Sequence, residues 1–176
     1  LGRQVAPILE TQFDATTGLY TRAALERQFG KAGRGTGKTE GTVIYIDIDR
    51  LHVINDVHGF EIGDEVIVRI AELLGPPLLA RSALAARVSG DRFAVVLEEV
   101  ETDTAVTLAM ALQGAASQIA IGPADQRTEI SLSCGVAALV DVPQSLARAL
   151  AAAELACKTA KDRGRGRVEL YAVADR

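Results

Sequence analysis

Apolar residues recur along the chain with two periods, one typical of buried strands and one typical of amphipathic helices. Residues 42–48, TVIYIDI, are almost all apolar or β-branched and predict a buried strand. Residues 84–88 and 93–100 have the same character, and only the four residues SGDR separate them, which predicts a β-hairpin. Alternation predicts a strand over 128–140, and a short last strand is predicted at 167–171.

Helical spacing of apolar residues fills the intervals between these strands. One short face is predicted from Leu51, Ile54 and Val57. After a loop at Gly59–Gly63, a second face is predicted from Ile62, Val66, Ile70 and Leu73. Further helices are predicted at residues 1–13, as the end of a connector, at 21–30 behind a Thr21 cap, at 103–121 and at 144–163. Gly-rich residues 31–41 predict a loop.

The order of elements from residue 42 onward is β-α-α-β-β-α-β-α-β. Because a hairpin lies in the middle of this order, an all-parallel doubly wound sheet is disfavoured. The pattern predicts an α+β fold, in which helices flank a mixed central sheet with one hairpin.

Composition limits the classes of partner. The chain has 176 residues, 48% of them hydrophobic, which is enough for the core of one domain. With a net charge of −4 and 4% aromatic residues, a nucleic-acid polymer is disfavoured as a ligand, although a small anion is not. No apolar run reaches membrane-spanning length, and the missing initiator methionine indicates a fragment of a longer protein. Cys134 and Cys157 lie in apolar surroundings and predict buried free thiols.

Three aspartates are candidate metal ligands. Asp47 and Asp49 share one face at the exit of the 42–48 strand, where carboxylates commonly hold Mg²⁺ against nucleotide phosphates. Asp49 is equally well explained as the cap of the next helix. Asp47 lies deeper in the apolar strand, so a ligand role is favoured there. Asp91, at the hairpin tip, joins this site only if the tip lies against the end of the strand.

Two other pairs of polar residues match parts of a nucleotide. Asn55 and Asp64 carry an amide and a carboxylate that suit the edge of guanine, although each is also explained as a surface polar residue. Lys161 and Arg165, at the end of the last helix, complement the helix dipole and are also spaced to reach one polyphosphate.

Taken together, four blocks in this order resemble the GGDEF domain of diguanylate cyclases, which condense two GTP into cyclic di-GMP. The blocks are DATTGLYTRAALE (14–26), DIDRLHVINDVHGFEIGDEV (47–66), VSGDRFAVVL (88–97) and AKDRGRGRV (160–168). The resemblance implies a palm-like sheet of the kind shared with nucleotidyl cyclases and polymerases. It also implies a domain over 14–176, and activity only where two such domains face each other in a dimer.

The resemblance also assigns roles by position. Asp47 and Asp91 are expected to bind Mg²⁺ with the Ile48 carbonyl nearby, and Asn55 and Asp64 are expected to recognise guanine. The backbone amides around Arg50 and Leu51 are expected to line the phosphate path, and Lys161 and Arg165 are expected to hold the phosphates. His52 is also expected to bind the nucleotide.

Departures from the family pattern concentrate at the expected catalytic centre. The naming motif is Ser89-Gly90-Asp91-Arg92-Phe93, in which Arg92 replaces a glutamate and reverses a charge beside the metal. His52 replaces a lysine, and the R-x-x-D product-binding motif before the hairpin is missing.

These departures favour a degenerate GGDEF domain with little or no cyclase activity. It is expected to bind GTP and Mg²⁺ and to regulate an attached domain such as an EAL phosphodiesterase, in the cytoplasm, whether or not the parent protein is membrane-anchored. The alternatives are an active diguanylate cyclase and an interaction or dimerisation module that binds no nucleotide.

Overall fold

The computed structural model describes residues 12–32, 40–76, 78–80, 82–125, 127–139 and 146–172. Its strands are β1 (Tyr20–Thr21), β2 (Gly41–Ile48), β3 (Leu84–Ser89), β4 (Arg92–Glu98), β5 (Ala120–Ile121), β6 (Thr128–Glu129), β7 (Leu132–Ala138) and β8 (Val168–Leu170). Its helices are α1 (Arg22–Ala32), α2 (Leu51–His58), α3 (Phe60–Leu73), α4 (Thr102–Ser117) and α5 (Leu146–Asp162). None of the helices in these ranges is both long and apolar enough to cross a membrane.

Six strands form one mixed sheet in the order β1-β3-β4-β2-β7-β8. The apolar strand β2 lies inside it and pairs antiparallel with both β4 and β7. The predicted hairpin is confirmed as β3 and β4, while β1 and β8 add to the edges in parallel. The predicted α+β architecture with a mixed central sheet is therefore confirmed.

The two faces of the sheet are covered by different helices, as the alternation along β2 shows. Ile44, Ile46 and Ile48 lie in a core cluster with residues of α2, α3 and α4. Val43 and Tyr45 lie in a second cluster with residues of α1 and α5. Because alternate residues share a face, Asp47 also lies on the α5 side, at the end of the strand.

Helix α5 packs very closely on β7, and a glycine makes this possible. A Cβ atom at Gly135 would lie 1.9 Å from the Ala153 carbonyl oxygen and 2.3 Å from the Cys157 amide nitrogen. Any side chain at this position would push the helix away from the sheet. This contact fixes the height of α5 above the sheet, and with it the height of the polar residues on the helix.

Several predicted boundaries were wrong. The loop predicted at Gly59–Gly63 is only Gly59, at φ 90°, because α3 begins at Phe60. Val57 is 62% exposed, since only the first turn of α2 reaches the core.

The predicted strand over 128–140 and the predicted helix over 103–121 are both interrupted. The strand divides into β6 and β7 around Ser131, whose carbonyl oxygen accepts a hydrogen bond from the amide of Asp49. The helix ends at Ser117, and β5 beyond it pairs with β6. Most of the predicted connector, residues 1–11, and most of the predicted loop, residues 33–39, lie outside the described residues. Both cysteines are buried free thiols, as predicted.

Candidate nucleotide and metal site

The hairpin tip lies against the end of β2, which was the condition for Asp47 and Asp91 to form one site. The Ile48 amide donates a hydrogen bond of 3.0 Å to the Asp91 carbonyl oxygen. In the β2–β4 register, Asp47 is paired with Arg92. The two aspartates and the substituted Arg92 therefore meet at one edge of the sheet.

Asp47 is only 2% exposed, and its two carboxylate oxygens have different surroundings. Its Oδ2 atom is ion-paired with Lys161 Nζ and lies 3.3 Å from Arg92 Nε. Its Oδ1 atom is buried and has no hydrogen-bond partner among the described residues. Burial and the nearby charge of Asp91 raise the pKa of Asp47, and Lys161 and Arg92 only partly oppose this shift.

The unpaired Oδ1 atom fits a hard cation. Buried carboxylate oxygens without a donor are costly, and Mg²⁺ prefers oxygen ligands. Asp91 is the second carboxylate at this point. Within the described ranges, however, no three His, Cys, Asp or Glu side chains come together as a ready-made metal cage. An ion bound here would have two carboxylate ligands, and phosphate oxygens and water would supply the rest of its coordination.

Asp49 is a structural residue, and the hypothesis that it caps a helix was wrong. Its carboxylate accepts hydrogen bonds of 2.6 Å from Ser131 Oγ, 2.6 Å from Ser133 Oγ and 3.0 Å from the Gly166 amide. The N-cap of α2 is instead Arg50, in the left-handed region at φ 54° and ψ 39°. Asp49 therefore connects the end of β2 to β7 and to the segment that follows α5.

The start of α2 remains available to an anion. No side chain in the described part of the chain caps this helix. The backbone N–H groups of its first turn, which includes Leu51 and His52, carry the positive end of the helix dipole. These are the positions at which the resemblance expects phosphates.

Arg92 extends from β4 into a cleft of about 410 Å³ between the sheet and α5. Its Nη1 atom lies 3.5 Å from Glu154 Oε1, and Tyr45 lines the same cleft. Partial burial lowers the pKa of Arg92, but Tyr45 and the charges of Asp47 and Asp91 more than offset this and raise it. The guanidinium is therefore held on the α5 side of Asp47.

Tyr45 and Glu154 were missed at the level of sequence, although both carry a signal. Tyr45 precedes Asp47 by two residues, so both side chains leave β2 on the same face. Glu154 precedes Lys161 by seven residues, which places both on one face of α5. A search for partners of Arg92 along these two spacings would have found them.

Lys161 and Arg165 lie at the end of α5, as predicted, but they line different clefts. Lys161 lines the cleft that holds Arg92. Arg165, at φ 65°, follows the helix and lines a second cleft of about 440 Å³ with Asp49 and Arg50. Its amide donates to the Ala160 carbonyl oxygen at 3.0 Å, which fixes the turn at the end of the helix.

Asn55 and Asp64 are brought together by the packing of α2 on α3. A Cβ atom at Gly63 would lie 1.7 Å from Asn55 Oδ1, so the Asn55 side chain occupies the space left by the glycine. Asp64, the next residue, is exposed. His52 is also exposed, on the first turn of α2. The amide and the carboxylate predicted for guanine therefore lie on neighbouring turns of the two helices.

Comparisons with known proteins identify the family of the chain. The family profile described as "Diguanylate cyclase, GGDEF domain" matches residues 11–167. Probable diguanylate cyclase DgcC of Escherichia coli K12 is 31% identical over 163 residues, and cyclic di-GMP phosphodiesterase PdeB of Shewanella oneidensis is 28% identical over 165 residues. Each alignment covers 90% of this chain but only 43% of DgcC and 18% of PdeB. The chain thus spans less than half the length of these curated relatives.

Solved structures show the same fold. The GGDEF domain of PA1120 (TpbB or YfiN) from Pseudomonas aeruginosa is 32% identical with a TM-score of 0.81, over 91% of this chain and 94% of that one. The chain therefore has the fold of that GGDEF domain over most of its length. The chain belongs to the GGDEF family, the diguanylate cyclase domains of cyclic di-GMP signalling proteins.

Proposed function

We propose that this GGDEF domain binds GTP with Mg²⁺, has little or no cyclase activity and regulates a domain attached to it. The observation that carries the proposal is the position of Arg92. Its Nε atom lies 3.3 Å from Asp47 Oδ2, at the motif position where the family has a glutamate. A permanently charged cation thus stands where a second acidic group would complete a metal site.

The residues around Arg92 support nucleotide binding. Asp47 Oδ1 and Asp91 would hold one Mg²⁺, which neutralises phosphate charge when it is bound. Asn55 and Asp64 would recognise guanine. The phosphates would lie against the first-turn amides of α2, with the side chains of Lys161 and Arg165 as counter-charges.

Catalysis is disfavoured by electrostatics. At about 4 Å and an effective dielectric of about 20, a unit-charge pair interacts by about 4 kcal/mol, and exchanging glutamate for arginine reverses the sign of that interaction. Because phosphoryl transfer depends mainly on metal ions and positioning, the loss of a metal ligand affects the reaction more than it affects binding. Arg92 can neutralise a phosphate but cannot activate a hydroxyl group as a metal does.

A regulatory role is supported by a relative in which the matching segment is a small part of a longer protein. PdeB is named a cyclic di-GMP phosphodiesterase, and the chain matches only 18% of it. We therefore propose that residues 14–176 form a cytoplasmic nucleotide-sensing domain whose GTP state is transmitted to an attached domain, such as an EAL phosphodiesterase.

Calorimetry and product analysis test the proposal together. We expect the wild-type chain to bind GTP more tightly with Mg²⁺ than without it, and chromatography to detect no cyclic di-GMP. Arg92→Glu should raise product formation by about a hundredfold above background, the scale on which one preorganised charge-stabilising group acts. The matched control is Arg148→Glu, the same charge reversal at an exposed position near the start of α5; this variant should behave as the wild type.

An active diguanylate cyclase is the second candidate, favoured by the intact Asp47 and Asp91. In that case the wild type forms cyclic di-GMP at a rate close to that of Arg92→Glu, which contradicts the proposal. If calorimetry detects no GTP binding with or without Mg²⁺, nucleotide sensing is excluded, and an interaction module remains.

A further inference from the structure

We propose that Glu154 is a positioning residue that holds the Arg92 guanidinium back on α5 and so keeps the metal side of Asp47 open. This inference rests on the proposed function, because it explains how a GGDEF domain can carry an arginine in its motif and still admit Mg²⁺. Nothing in the family pattern discussed above assigns a role to this position.

The two ends of the Arg92 side chain have different partners. Its Nε atom, nearer the backbone, lies 3.3 Å from Asp47 Oδ2. Its Nη1 atom, at the tip, lies 3.5 Å from Glu154 Oε1. The tip is thus drawn toward the middle of α5, and both cationic contacts of Asp47, from Arg92 and Lys161, fall on the same oxygen.

The remaining oxygen is the one left for a metal. Asp47 Oδ1 is buried and makes no hydrogen bond to any described residue. If the Arg92 guanidinium were free to turn, it would donate a hydrogen bond to Asp47 Oδ1, because a buried carboxylate oxygen without a donor attracts the nearest cation. Arg92 does not make that contact here, and the groups that retain it lie on the α5 side.

Among the described residues that line the cleft, Asp47 and Glu154 are the two anions, and Glu154 is the one that α5 contributes. Tyr45 also lines the cleft, but its hydroxyl is neutral. Lys158 and Lys161, which also line the cleft, are cations and repel the guanidinium. Without the charge of Glu154, the nearest anions for Arg92 are Asp47 and Asp91, which are the proposed ligands of Mg²⁺. The arginine would then compete with the metal.

A Mg²⁺ titration of GTP binding measures this competition. In Glu154→Gln, we expect the Mg²⁺ concentration that gives half-maximal GTP binding to rise about fivefold, the size expected for a half-exposed charge pair. Glu154→Asp should recover part of the wild-type response. Glu72→Gln, the same substitution at an exposed position on α3, serves as the matched control and should leave the midpoint unchanged.

A double-mutant cycle separates positioning from a general structural effect. In an Arg92→Ala background, Glu154→Gln should no longer move the Mg²⁺ midpoint, because the competing cation is gone. If Glu154→Gln shifts the midpoint equally with and without Arg92, or does not shift it at all, the inference is wrong.

A readout without nucleotide keeps this inference separate from the proposed function. The ¹⁵N NMR signal of the Arg92 Nε–Hε group is identified by its loss in Arg92→Ala. In the metal-free and nucleotide-free protein, Glu154→Gln should move this signal and Glu72→Gln should not. An unmoved signal in Glu154→Gln overturns the inference even if GTP binds. A wild type that binds no GTP overturns the proposed function, while a moved signal still supports the role of Glu154.

Discussion

Asp47 and Asp49 lie two residues apart at the end of β2, and both are buried, yet their surroundings are opposite. Asp49 accepts three hydrogen bonds, from two serine hydroxyls and one backbone amide. Asp47 has one oxygen shared by two cations and another oxygen with no partner in the described chain. The fold supplies hydrogen-bond donors to both oxygens of Asp49, whereas it leaves one oxygen of Asp47 without a donor.

This difference separates a structural from a functional residue where burial cannot. The partners of Asp49 come from β7 and from the turn after α5, so its hydrogen bonds join three segments that are distant in sequence. Lys161 and Arg92 on Asp47 are 26% and 43% exposed in their side chains, and so can move to water or to a phosphate when a ligand arrives. A site needs groups whose partners can be exchanged, and Asp47 has them.

The largest effect on stability is therefore expected from Asp49→Ala. The substitution leaves two buried or partly buried hydroxyls and the Gly166 amide without their acceptor, and hydrogen bonds to a charged group contribute about 1.5–3 kcal/mol each. Because such losses are not additive, we expect about 4 kcal/mol less free energy of unfolding, measured with urea. Asp49→Asn keeps one acceptor and should lose about half as much. A loss below about 1 kcal/mol for Asp49→Ala would contradict a structural role.

Asp47→Asn should change the stability little and the Mg²⁺-dependent binding of GTP strongly. The two cations released by the substitution can reach solvent, so we expect a change in the free energy of unfolding of about 1 kcal/mol. The Mg²⁺-dependent part of GTP binding should fall about tenfold or more, since the ion loses a charged oxygen ligand. Calorimetry with and without Mg²⁺ measures it. Unaltered Mg²⁺ dependence would place the ion elsewhere.

Much of the fold could be predicted from the sequence because its signals are local. The apolar run of β2 and the four-residue spacing inside the hairpin depend on neighbours in the chain, and both predictions are confirmed. The break of the 128–140 strand at Ser131 could not be predicted this way. It follows from a hydrogen bond to Asp49, which is 82 residues away in sequence.

In the candidate site, too, local signals could be read from the sequence and long-range contacts could not. Residue type and spacing were enough to select Asp47, Asp91 and Lys161, and the structure brings Lys161 onto Asp47 and the hairpin tip against β2. Their roles in binding GTP and Mg²⁺ stay predictions. The choice between cap and ligand for Asp49 could not be made from sequence, because its partners Ser131, Ser133 and Gly166 are distant in sequence.

Asp14 extends the comparison to a third carboxylate. Its neighbours also supply hydrogen-bond donors, but it lies nearer the surface. Hydrogen bonds from the Thr17 amide and hydroxyl, at 2.9 and 2.8 Å, and an ion pair with Arg87 at 3.2 Å surround it. Partial burial raises the pKa of Asp14, but these contacts more than offset it and hold the pKa below the ordinary value of 3.8.

Because the folded-state pKa of Asp14 is depressed, its contribution to stability is present above pH 3.8 and is lost as the pH falls through the folded value. Asp14→Asn should cost about 1 kcal/mol at pH 6, and this cost should diminish as the pH falls below 3.8 and through the lower pKa of the folded state. Urea unfolding of the variant and the wild type across this range measures the difference. If the stability cost of Asp14→Asn stays constant down to pH 2, the side chain acts through its shape. Its hydrogen bonds to Thr17 and Arg87 would then not depend on its charge.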